Sequence, residues 1–267
     1  MTGYRRYVIT GAASGIGAEL RTQLLAKGHD AVGLDIRAAT GIVPCDLSDP
    51  DSIAEAAAAI HGPLDGIALV AGLPGTASPT KIVAVNLISI RQLSALLLPL
   101  CAPASSIAIV SSVTAHRCDW SDDRLYDLLG RSDADILAAF ETLSGPDAYA
   151  ASKKLANRWA EAASAALLPK GVRVNLVSPG PIETPILKDF ETSMGAARIR
   201  AAADLVGRHG HPDEVASLLS FLLSPAASWV NGVNVACDGG FSNGRNAPLA
   251  RFDPFAFAKP SEPASCN

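Results

Sequence analysis

Three observations predict an α/β fold built on a doubly wound parallel sheet. Short apolar runs alternate with helical patterns along most of the chain, a glycine-rich turn joins the first run to the first helix, and only 18% of residues are charged. The runs Tyr7 to Thr10, Ala31 to Leu34, Gly66 to Val70, Ile107 to Val110, Val172 to Val177 and Val233 to Ala236 read as strands buried on both faces. Between them, apolar residues recur at helical spacing over Ile16 to Ala26, Ser52 to Ile60, Pro79 to Leu98, Ala148 to Leu168 and Asp213 to Leu223. Pro212-Asp213-Glu214 is a helix-start signal for the last of these. Right-handed β-α-β crossovers then place helices on both faces of the sheet.

Length and charge narrow the possible functions. The 267 residues fit one large domain, with 49% apolar residues for its core and too few charges for a disordered chain. A net charge of −4 supplies no basic field for a nucleic-acid backbone, so small molecules and other protein chains are the expected partners. The most apolar region, Ile82 to Cys101, contains Arg91 and Pro99 and is read as a core helix rather than a membrane span. Arg5 and Arg6 precede an apolar run that glycines soon interrupt, so no secretory leader is expected and the chain is placed in the cytoplasm. Five scattered cysteines without C-x-x-C spacing read as reduced thiols, signalling neither disulfides nor zinc. His209, His211 and Asp213 precede a helix and read as its start loop, so no metal is expected.

Two regions break the alternation. Residues 117–146 carry several Asp among Leu and Ala and suggest one or two short inserted helices. The tail, about 242–267, is rich in Pro and Phe, loses all regular period from Arg245 onward, and is expected on the surface or against a partner.

Gly11, Ser14, Gly15, Ile16 and Gly17 lie in the turn after the first strand. Glycines there allow a tight turn and close approach of a pyrophosphate, which the helix N-terminus meets with unpaired N–H groups. Such a turn suits a Rossmann-type sheet and a dinucleotide, the alternative being a loop with purely structural glycines. Asp35 ends the second strand 18 residues after Gly17, where a carboxylate receives adenosine ribose hydroxyls and repels a 2′-phosphate, favouring NAD. Arg37 tempers this, since it can meet a phosphate if Asp35 turns away. Asp46 and Leu47 are expected beside the adenine. Tyr149 and Lys153, four apart, share one helix face, and Ser111-Ser112 ends a strand at the ligand side of the sheet.

With these motifs in this order, the chain resembles the short-chain dehydrogenase/reductase family over about residues 5 to 241. Ala71-Gly72, Asn86, Pro179-Gly180 and Asp238-Gly239-Gly240 complete the pattern. Val70 departs from it, standing where the family usually has an Asn that ties adjacent strands. The resemblance implies an oxidoreductase that uses NAD to interconvert an alcohol and its carbonyl. In it Tyr149 is the general acid/base, its pKa lowered by Lys153 and the nicotinamide. Lys153 also binds the nicotinamide ribose, Ser112 bonds the substrate oxygen, and Asn86 holds a water behind Lys153. Ala71, Gly72, Pro179, Ile182 and Thr184 line the cofactor, Thr184 at the carboxamide.

The loop residues 71–76 and 111–116, the segment 181–187 and the long insertion resemble two bacterial subgroups, coniferyl-alcohol dehydrogenases and 3α-hydroxysteroid dehydrogenases/carbonyl reductases. An aryl, allylic or alicyclic alcohol is the substrate so implied, with a steroid as alternative and a non-catalytic NAD-binding sensor as the competing class. Ile186 to Leu205 is the expected lid, with Leu187, Phe190 and Met194 facing an apolar ring or the core. The resemblance implies a homodimer or homotetramer, and the insertion is expected to favour the dimer. His116 either lines the site or sits in a loop, and Cys118 is read as inert.

Overall fold

The computed structural model describes residues 3–246, and the remainder of the predicted tail lies outside them. Its strands are β1 (Arg6–Thr10), β2 (Asp30–Asp35), β3 (Ile42–Pro44), β4 (Leu64–Leu69), β5 (Cys101–Val110), β6 (Arg173–Pro179) and β7 (Asn234–Cys237). They form one parallel sheet in the order β3-β2-β1-β4-β5-β6-β7, the doubly wound topology expected. Only β3 has no counterpart among the sequence-predicted strands. It is three residues long and lies at the sheet edge, where Pro44 costs no ladder hydrogen bond.

The helices are α1 (Gly15–Ala26), α2 (Pro50–Ala58), α3 (Pro79–Val83), α4 (Ser89–Leu97), α5 (Asp122–Leu129), α6 (Asp133–Phe140), α7 (Gly145–Ala166), α8 (Leu187–Met194), α9 (Ala196–Val206), α10 (Pro212–Leu223) and α11 (Phe241–Asn246). Side chains alternate across the sheet, so the two faces bury different sets. Val8, Ile67, Ile107 and Val174 face α2, α4 and α7, whereas Tyr7, Ile9, Ala68 and Val177 face α1 and α10. Each such side chain, fully withdrawn from water, contributes roughly 1.5–3 kcal/mol if large.

The segment predicted as one helix, Pro79 to Leu98, is α3 and α4 joined by a π turn over Ala84–Ile88. The wide turn is centred on Asn86, whose side chain is wholly buried and bonded to groups outside the helix. The run Pro79–Leu100 is long and apolar enough to cross a membrane. Here Ile82, Leu87, Leu93 and Leu97 are buried in the core, and Arg91 pairs with Asp133.

The insertion consists of α5 and α6. Ser121, Ser132 and Ser144 cap α5, α6 and α7 in turn, each hydroxyl accepting from a backbone N–H three residues on. Trp120 meets Phe140 edge to face, Arg124 stacks on Trp120, and Lys154 of α7 donates to the Cys118 and Trp120 carbonyls. Ahead of Tyr149 the main chain itself sets the spacing. A Cβ on Gly145 would run into the Gly75 carbonyl, so the loop after β4 and the first turn of α7 touch backbone to backbone. Residues 241–246 are helical, so the tail's irregular character begins no earlier than the end of α11.

Candidate active site

Two adjoining clefts open at the C-terminal edge of the sheet, where ligands bind in open α/β folds. Ile16, Val70, Gly72, Thr184 and Ile186 line both, so the clefts are continuous.

The first cleft, about 1060 Å³, has the glycine-rich turn as its floor. Gly11 and Gly15 hold φ of +68° and +54°, and a Cβ on Gly17 would meet the Gly11 carbonyl oxygen. This cradle exists only because those positions lack side chains. Asp35 lies at its edge, nearly buried, with Oδ2 accepting from Ala13 N–H and Oδ1 from Arg37 N–H, both at 3.0 Å. The carboxylate is therefore fixed toward the cleft, and the Arg37 guanidinium pairs with it at 3.7 Å. Asp46 and Leu47 line the same cleft. The Asp46 Oδ1 accepts from both the N–H and hydroxyl of Ser48, which lowers its pKa. Ala71 and Gly72 form the wall after β4, and Thr184 stands over Gly15. The cradle, the held carboxylate and the elongated cleft fit a dinucleotide. Pro179 and Ile182, also expected along it, line the neighbouring cleft instead.

The join between the two strands flanking that wall lacks the family's Asn, having Val70 there. Thr10 does the tying: its Oγ1 accepts from Val70 N–H at 2.9 Å and from Ala71 N–H at 3.1 Å.

The second cleft, about 1010 Å³, gathers Ser112, Tyr149 and Lys153. Ser112 caps a 3₁₀ turn, Val113–Arg117, where its Oγ accepts from Thr114 N–H at 3.1 Å, and it lines the cleft beside Tyr149. Tyr149 and Lys153 lie one turn apart on α7, and both are almost wholly buried. Burial pushes the phenol up to about 12, and the neighbouring Ser112 side chain offsets part of that rise. Burial likewise brings the Lys153 ammonium down to about 8, and its Nζ donates to the Val110 carbonyl at 2.9 Å.

Asn86 sits behind them. Its Oδ1 accepts from Leu73 N–H, and its Nδ2 donates to the Leu73 carbonyl and to Ser152 Oγ. Ser152 in turn donates to the Tyr149 carbonyl. The amide thus links the wall after β4 to the helix that carries Tyr149, and its hydrogens are taken by the chain itself. Ser111 donates to Asn157 on α7, binding the strand end to the same helix.

Sequence reasoning placed the lid over Ile186 to Leu205, and α8 and α9 occupy it. Leu187, Phe190 and Met194 line the second cleft, with the Phe190 ring edge to face on Tyr149 at 5.1 Å. His116 lines it too, its Nδ1 engaged with the Val113 carbonyl. Missed from the sequence were Arg117, Arg198, Phe241 and Arg245, which line this cleft from three remote segments. Among the described residues no group of His, Cys, Asp and Glu could hold a metal; His211 caps α10, as its loop position suggested. Burial raises the Cys118 thiol, consistent with an inert residue.

A family model described as Enoyl-(Acyl carrier protein) reductase matches residues 134–242. A coniferyl-alcohol dehydrogenase from a Pseudomonas strain is 31% identical, the alignment spanning 90% of this chain and 97% of that protein. The 3-alpha-hydroxysteroid dehydrogenase/carbonyl reductase of Comamonas testosteroni is 35% identical over 87% and 95%. The crystal structure of a Pseudomonas 3-alpha-hydroxysteroid dehydrogenase complexed with NADH superposes with a TM-score of 0.81 at 33% identity, over 91% of this chain and 98% of that one. Kinship at this level over about nine-tenths of the chain, on the same fold, makes the chain a member of the short-chain dehydrogenase/reductase family, an oxidoreductase acting on alcohols and carbonyls with a nicotinamide dinucleotide.

Proposed function

We propose that the protein is an NAD-dependent dehydrogenase that interconverts an aryl, allylic or alicyclic alcohol with its aldehyde or ketone. The observation that carries this is the meeting of Ser112, Tyr149 and Lys153 in an apolar-walled cleft that opens into the glycine cradle. The bound nicotinamide supplies a hydride acceptor or donor at its ring. Tyr149 takes the carbinol proton or returns it, as the family role implies. Ser112 holds the substrate oxygen while it passes between alkoxide and carbonyl. Lys153 supplies positive charge behind the phenol and reaches the nicotinamide ribose. Asn86 acts through Ser152 as a positioning residue for Tyr149, with the water of the proton path behind Lys153.

The cradle of Gly11, Ser14, Gly15, Ile16 and Gly17 would hold the pyrophosphate on backbone N–H groups. Asp35 supports NAD over NADP: two backbone N–H groups keep its carboxylate where a 2′-phosphate would lie, and Arg37 is already paired with it. Asp46 and Leu47 would flank the adenine, Ala71 and Gly72 the middle of the cofactor, and Pro179, Ile182 and Thr184 the nicotinamide end.

A steroid alcohol is the second reading, favoured by the kinship to 3α-hydroxysteroid dehydrogenases and the apolar lid. The insertion supports a homodimer over a homotetramer, because α5 and α6 cover part of α7 and α3. The test is NADH formation, followed by absorbance, with cinnamyl, benzylic, alicyclic, steroid and polyol alcohols. Turnover of a ring-bearing alcohol is the expected result; turnover of polyols alone, or of none, would overturn the proposal.

A further inference from the structure

The substrate cleft has a second chemical character besides its apolar wall. Arg117 follows the Ser112 turn, Arg198 projects from α9 and Arg245 from α11, and all three line the cleft that holds Tyr149. They come from segments far apart in sequence, yet Arg117 and Arg245 are near enough for their charges to act on Arg198. Burial and those two like charges lower the Arg198 pKa, which marks a site electrostatically short of an anion. Among the described residues no carboxylate pairs with any of the three, whereas Arg131 and Arg208 each pair with one and Arg158 with two.

Like charges gathered without a counter-ion are disfavoured, and planar guanidinium forks match a carboxylate in two-point geometry. Arg117 ends the 3₁₀ turn that Ser112 caps, and Leu187, Phe190 and Met194 line the same cleft, so cations, an apolar wall and the catalytic hydroxyls face one space.

We propose that Arg117, Arg198 and Arg245 form an anion-recognition site, and that the alcohol turned over carries a carboxylate across an apolar ring from its hydroxyl. This rests on the reading of the protein as a ring-alcohol dehydrogenase and adds the charge of its substrate.

The test uses a matched pair, 4-(hydroxymethyl)benzoate and its methyl ester, which differ in charge while presenting the same benzylic alcohol. With NAD present, kcat/KM for the acid should exceed that for the ester by about tenfold or more. Arg198→Gln should cut the acid-to-ester ratio roughly 10- to 100-fold, through KM rather than kcat. Arg117→Gln is the second variant should the first fail to fold, and Arg198→Lys should restore part of the ratio. An acid no better than its ester, or a ratio the variants leave unchanged, overturns the anion site; ester turnover would leave the dehydrogenase reading intact. Calorimetric titration of the acid into the NAD-loaded protein decides the matter independently of turnover. Binding of the acid lost in Arg198→Gln upholds the site even if neither alcohol reacts, and absence of binding overturns it.

Discussion

The Nζ of Lys153 donates to the Val110 carbonyl at 2.9 Å, so a cation sits buried on the last residue of strand β5. Burial holds that ammonium at about 8, against an ordinary value of 10.5. In the unfolded chain the lysine stays protonated up to its ordinary value, so between pH 8 and 10.5 the unfolded state binds more protons and stability rises with pH. Below pH 8 the buried charge costs of order 3 kcal/mol. Tyr149, raised to about 12, opposes this only from pH 10 upward. Lys153→Met should therefore abolish turnover while removing the rise between pH 8 and 10.5. Urea midpoints measured against pH check this, and an identical slope in the variant refutes it.

Tyr149→Phe keeps the ring that meets Phe190 and loses only the hydroxyl. Turnover should fall about 10²- to 10⁴-fold with NADH affinity nearly unchanged. In the parent protein, kcat/KM for alcohol oxidation should climb with pH, since oxidation needs the phenolate and burial holds the phenol protonated. Stopped-flow kinetics and NADH fluorescence titration measure both.

Thr10 ties β1 to the chain after β4 through one hydroxyl. Thr10→Val is nearly isosteric and leaves the N–H groups of Val70 and Ala71 without that acceptor, so it should destabilise the fold by about 1–3 kcal/mol. Thr10→Ser should restore most of the loss. Equal melting temperatures for parent and Val variant would show the tie to be dispensable.

Asp35→Ala removes the carboxylate at the cradle's edge and frees Arg37 from its partner. NADH should bind roughly 10- to 100-fold more weakly and the discrimination against NADPH should narrow. Fluorescence titration of both cofactors reads this out. Equal affinity of the parent for NADH and NADPH would contradict the NAD assignment.

Much of this architecture was legible because it is written in local patterns. Strands buried on both faces appear as apolar runs, the cradle as glycines between a run and a helix, and Tyr149 with Lys153 as a four-residue spacing. β3 was not legible: three edge residues ending in Pro44 carry too little apolar signal to stand out. The π turn at Ala84–Ile88 was hidden for another reason, since the bonds that hold Asn86 in it come from Leu73 and Ser152, distant in sequence. Arg117, Arg198 and Arg245 share a cleft only after folding. The upward push on the phenol was not legible either, because the burial of Tyr149 that causes it is a tertiary property.

The contact between Gly75 and Gly145 bears on how this scaffold can be remodelled. The insertion between the Ser112–Arg117 turn and α7 can change in length and composition, because the height of Tyr149 above the cofactor wall is gauged afterwards, by one peptide resting on another. A gauge made of main chain has no rotamers to drift. New substrate surfaces can thus be grafted ahead of α7 while the reacting atoms keep their place.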